Sequence, residues 1–120
     1  MFNFKLLVSA LLLVSIDSIY LNFIKNYFAN QIKAIQGVPM KINYLAAIIC
    51  YIFIIMGFNY FIIKGHRSVS DAFLLGIVTY GIYETTNKAL FNNWSWTTVI
   101  IDTLWGGTLF AIVTYLLNFI

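Results

Sequence analysis

Four long apolar stretches, divided by short segments that hold most of the charge, fill nearly all of this 120-residue chain. They run over residues 6–24, 44–63, 72–91 and 96–118. Each approximates the roughly 20 residues that an α-helix needs to cross a bilayer. Inside a bilayer the backbone must satisfy its own hydrogen bonds, so apolar runs of this length fold as helices. The expected fold class is therefore all-α: a polytopic integral membrane protein with four transmembrane helices in a single membrane domain, residues 1–120.

Charge punctuates the runs. Lys5 and Lys25 bracket the first, Lys41 and Lys64 the second, and Asp71 precedes the third. Only 9% of residues are charged and 62% are hydrophobic, where a soluble domain carries about 25% charge. This excludes an ordinary soluble domain and a disordered chain. No nucleic-acid partner is expected either, because the seven Lys and Arg residues are scattered along the chain, mostly between apolar runs, rather than in a patch. The partner is the lipid bilayer of a plasma or inner membrane. The first run is too long for a signal peptide, and Tyr20, Phe23 and Tyr27 stand where a cleavage site needs small residues.

The segment between the first two runs holds the only proline, Pro39, with Gly37 before it. Within it Phe28, Ile32 and Ile35 share one helical face and Asn26, Asn30 and Lys33 another, which predicts a short interfacial amphipathic helix over residues 26–36. His66 and Arg67, in the second loop, read as solvated residues. Cys50 reads as packing, and Trp94 with Trp96 as an interfacial aromatic belt. The basic residues divide almost evenly between the two sides, so they do not set an orientation.

Three of the four acids, Asp17, Glu84 and Asp102, lie inside apolar runs. An ionisable group there is a functional-site candidate, costing roughly 2.5–3.5 kcal/mol at a helix centre. The third run has about eight strongly apolar residues, each returning roughly 0.3–0.6 kcal/mol. It also carries Glu84, Asn87 and Lys88, so it needs support from the other helices. Asp17, Glu84 and Asp102 fall seven, seven and six residues from the ends of their runs that face one side. At 1.5 Å per residue all three sit roughly 9–11 Å deep, at one level.

Side-chain faces gather around that level. Tyr80, Tyr83, Glu84 and Asn87 form one stripe on the third helix, and Lys88, four residues after Glu84, is placed to pair with it. Asp102 and Trp105 share a face of the fourth, and Asp17 and Tyr20 a face of the first. Gly106 and Gly107 allow close helix approach. The expected site is a pocket lined by Asp17, Tyr20, Tyr80, Tyr83, Glu84, Asn87, Asp102 and Trp105. Carboxyl groups drawn out of water and set together suit a proton relay, a cation site or acid–base chemistry. The sequence has no Walker loop, no dinucleotide glycine fingerprint, no nucleophile elbow and no His pair. No cofactor and no metal are expected.

The run Tyr83-Glu84-Thr85-Thr86-Asn87-Lys88-Ala89, then Trp94, then Asp102-Thr103-Leu104-Trp105-Gly106, resembles a family of small four-helix predicted membrane proteins of unknown function. Its members carry Tyr-Asp-x-Thr-Asn-x-Ala, a Trp five residues on, and Asp-x-x-Trp-Gly. Gly76, Tyr80, Asp17, Tyr51 and Gly57 fit the same pattern. Glu84 replaces the usual Asp, and Tyr20 stands where Trp is common. The resemblance implies a four-helix membrane fold and supplies no reaction.

Three readings remain open. In the first, the pocket binds or translocates a proton, cation or small substrate, and the chain self-associates into a homo-oligomer. In the second, the protein is a membrane-embedded enzyme or accessory factor in lipid modification, with the same acids as acid and base. In the third, the cluster only fixes helix packing in a structural or assembly protein.

Overall fold

A computed structural model describes residues 4–120 and contains four helices, with no strand among the described residues. They are α1 (Phe4–Gln36), α2 (Tyr44–Phe58), α3 (Val69–Leu90) and α4 (Trp96–Leu117). A π-helical turn, Asn59–Ile63, continues α2. Phe4–Gln36, Tyr44–Ile63 and Trp96–Leu117 are long and apolar enough to cross a membrane. α3 is as long as α4, at 22 residues, but less apolar.

The interfacial segment expected at 26–36 is helical, yet it is not a separate element: it continues α1 without a break. No glycine or proline interrupts residues 4–36, and a lysine such as Lys25 does not end a helix. The helix stops only at Gly37, whose φ of +79° is a backbone state that glycine adopts freely. At 33 residues α1 is about 50 Å long, well beyond a hydrocarbon core of about 30 Å.

That extra length has a use. Near its end, Gln31 Oε1 accepts from the Ser95 backbone N–H at 2.7 Å and from Thr98 Oγ1 at 3.3 Å. The Tyr27 and Ser95 hydroxyls are 3.0 Å apart. Ser95 itself caps α4 by accepting from Thr98 N–H at 3.0 Å. The end of α1 thus holds the α3–α4 turn in place.

α4 is the buried axis of the bundle. Its Leu109, Phe110, Val113 and Leu117 join Leu13, Phe58, Ile62 and Ala72 in an apolar core near the end that carries both termini. The Phe58 and Phe110 rings meet edge to face at 5.2 Å. α3 lies along α4 more extensively than any other two helices touch. Glycines permit this: a Cβ on Gly76 would overlap the Gly106 backbone carbonyl, and one on Gly106 would overlap the Tyr80 ring. The least apolar helix is therefore carried by the most buried one. α2 packs on α1, buries only Phe58 and Ile62 of its residues, and barely touches α3.

Gly76→Ala should force α3 and α4 apart against rigid backbone, at a cost of about 1–3 kcal/mol. Gly57→Ala meets nothing within 4 Å and should leave stability unchanged or slightly raised. Unfolding in detergent measures both, and equal behaviour of the two variants contradicts the glycine contact.

Candidate functional site

Each buried carboxyl in the middle of the bundle is met by donors from another element. Asp17 on α1 accepts from Tyr51 of α2, with Oδ2 2.6 Å from the hydroxyl. Its Oδ1 accepts from the Trp105 indole N–H of α4 at 2.8 Å. Tyr20, one turn beyond Asp17, donates to Asp102 Oδ1 at 3.1 Å. Its ring stacks flat on Trp105, with centroids 4.5 Å apart and planes 6° from parallel. The i, i+3 spacing on both helices makes this crosswise arrangement possible: Trp105 of α4 reaches Asp17 while Tyr20 of α1 reaches Asp102.

Glu84 on α3 is fully buried. Its Oε1 accepts from the Trp94 indole N–H at 2.8 Å, while Oε2 has no donor among the described residues. The Asp102 carboxyl, on the facing helix, is near enough to act on Glu84 electrostatically. Two carboxyl groups form a hydrogen bond only when one of them carries a proton. Hydrogen bonds and ring stacking thus link Tyr51, Asp17, Trp105, Tyr20 and Asp102 across α2, α1 and α4, with the Glu84–Trp94 pair of α3 and the following turn beside them.

A cavity of about 680 Å³ opens where α2 and α3 fail to meet. Asp17 and Asp102 line it together with Tyr51, Tyr80 and Tyr83. The remaining walls are mostly apolar, among them Phe53, Ile54, Phe58 and Phe61 of α2 and Leu75 of α3. Its α2 wall extends from Ala47 to Phe61, about 21 Å along the helix.

Of the residues expected at the site, Asp17, Tyr20, Glu84, Asp102 and Trp105 come together in the network. Tyr80 and Tyr83 border the cavity, and the Tyr80 ring also packs on Gly106. Asn87 lies one turn beyond, against the Tyr83 hydroxyl and outside the cavity lining. Lys88 does not pair with Glu84. Its ammonium donates to the Asn92 carbonyl at 3.2 Å and lies 5.7 Å from the Trp96 ring centroid. Glu84 points into the bundle, whereas Lys88 reaches toward the helix end where water can solvate it. Trp94 is not a belt residue: it is 4% exposed and its N–H is committed to Glu84. Trp96, at 63% exposed, keeps the outward position. Cys50 is not packed inside; it is exposed at the edge of the cavity.

Sequence reasoning left Tyr51 and Trp94 out of the site. The signal for Trp94 was its place in the motif between Glu84 and Asp102, and for Tyr51 its position at the level of the acids. Among the described residues, no three His, Cys, Asp or Glu side chains are arranged to hold a metal ion.

The family described as "Predicted membrane protein (DUF2177)" matches residues 3–118. No curated protein and no solved structure matches the chain.

Trp94→Phe and Trp105→Phe keep an aromatic ring but remove the donor to Glu84 and Asp17. Each should cost about 1–3 kcal/mol, because a buried acceptor loses its partner. Trp96→Phe should cost little. Detergent unfolding of the three variants gives the comparison, and a uniform response contradicts the assignment of the two indole donors.

Proposed function

We propose, from the premise that the chain belongs to the DUF2177 family of predicted membrane proteins, that all four helices cross the bilayer and enclose a proton- or cation-binding site. Three crossings rest on helices of sufficient length and apolarity. The fourth, by α3, is supported by its 22 residues, about 33 Å, running beside α4. Its charged residues other than Glu84 are near its ends: Asp71 in the first turn and Lys88 in the last.

The observation that carries this reading is the carboxyl of Glu84, with no exposure, one indole donor, an Oε2 without a donor among the described residues, and the Asp102 carboxyl near it. Two bare carboxylates set near one another away from bulk water would repel and lose solvation. A proton held between them removes both costs. Asp102 and Asp17 also border the cavity, so protons or small cations reach the pair from that side. The tyrosine and tryptophan donors keep the acids fixed while the proton comes and goes.

Reconstituted protein should speed the collapse of a proton or cation gradient across liposomes. Glu84→Gln and Asp102→Asn should reduce that rate at least about tenfold, the loss of one ionisable group in a coupled pair. Equal rates for wild type, both variants and empty liposomes contradict the reading.

A second reading, in which the site serves lipid modification as an enzyme or accessory, is favoured by the shape of the cavity. An apolar slot about 21 Å long, open between two helices, suits an acyl chain, with acids and tyrosines beside it. A photoreactive fatty acyl probe should label α2 and α3, and Gly57→Leu, which narrows the slot, should reduce that labelling severalfold. Unchanged labelling opposes the acyl-chain reading and leaves the gradient assay to decide the first.

A further inference from the structure

At the other end of the bundle, three basic side chains from distant parts of the chain border one small pocket. Lys5 comes from the start of α1, His66 and Arg67 from the α2–α3 turn, and Thr114 and Asn118 from the end of α4. The pocket measures about 140 Å³, a few times the roughly 30 Å³ share of a water molecule. Its lining is largely polar, in contrast to the long slot described above.

We propose that this pocket binds the phosphate of a phospholipid headgroup. Depth supports it. Lys5 is twelve residues before Asp17, about 18 Å along α1. If the first apolar run leaves the bilayer at Ile24, as its pattern predicts, Asp17 lies roughly 9–11 Å below that face and Lys5 about 28 Å from it, at the far boundary of a core about 30 Å thick. That is the level of headgroup phosphates. Arg67 is held there by its Nε, which donates to Asp71 Oδ2 at 2.9 Å. This leaves the guanidinium fixed by the side away from its terminal nitrogens, the ones suited to a phosphate. Asp71 is the acid that offsets part of the charge, and Lys64 stands nearby in sequence with its ammonium 4.9 Å from the Tyr60 ring centroid.

The backbone at His66 points to the same place. The helical turn ends with Arg67 N–H donating to the Ile62 carbonyl at 2.9 Å and His66 N–H to the Ile63 carbonyl at 3.1 Å. This terminus puts one residue in the left-handed region, where glycine is usual. Here His66 occupies it, at φ +51°, although Gly65 is the adjacent residue. A left-handed non-glycine residue is uncommon, and at this position it places a ring at the pocket instead of a hydrogen. Basic pockets between helices at a membrane surface recognise phosphate headgroups.

The full chain in detergent, probed by native mass spectrometry, should retain phosphatidylglycerol and not diacylglycerol with the same acyl chains. Lys5→Gln with Arg67→Gln should lower retention at least tenfold. His66→Gly should also lower it severalfold while the protein unfolds at the same or a higher temperature, because glycine suits the left-handed backbone. Competition by millimolar inorganic phosphate shows that the phosphate itself is recognised; retention that resists it shows that the lipid is the required source. Equal retention of diacylglycerol, or retention unchanged in both variants, overturns the proposal.

Discussion

A carboxyl group buried among helices calls for hydrogen-bond donors, and polar contacts between elements supply most of them at the centre of this protein. Asp17 takes donors from α2 and α4, Asp102 takes one from α1, and Glu84 takes one from the turn before α4. Each donor sits on a different element from its acceptor. Satisfying the acids therefore also sets how the helices stand against one another, and the network is structural and chemical at once. The donors are Tyr and Trp, whose rings are at home in an apolar interior while one polar atom reaches the acid.

The arrangement has three levels. An apolar core around Phe58, Phe110 and Val113 closes the end with both termini. The acids occupy the middle. The extended end of α1 clamps the α3–α4 turn through Gln31, Ser95 and Thr98 at the other end. That clamp places Trp94, which in turn supplies Glu84 with its donor. Against this, α2 is attached mainly through α1, and the gap it leaves beside α3 is the cavity onto which Asp17 and Asp102 open.

Much of this was legible in the sequence, for reasons that can be named. Run length and charge placement fix helix number in a membrane, so four helices could be counted directly. Helix rise is constant, so counting residues from each run's end brought Asp17, Glu84 and Asp102 to one level. What could not be read depended on partners far away in sequence. Trp94 sits beside Trp96 and looks like its twin, and only the fold turns one inward to Glu84 and the other outward. The i, i+4 relation of Glu84 and Lys88 permits a pair, but a buried carboxyl and a lysine seeking water part company. The unbroken course of α1 past Lys25 was visible in the lack of glycine and proline, a signal that a charged residue at the expected end obscured.

The proposed proton-binding role requires that Glu84 and Asp102 hold a proton between them. Infrared spectroscopy of the reconstituted protein reads this directly, through the carbonyl stretch of a protonated carboxyl group. Such a band is expected at neutral pH in the wild type, shifted or lost in Glu84→Gln and in Asp102→Asn and retained in Asp71→Asn. A spectrum without a protonated carboxyl band, or one that neither substitution alters, would contradict it.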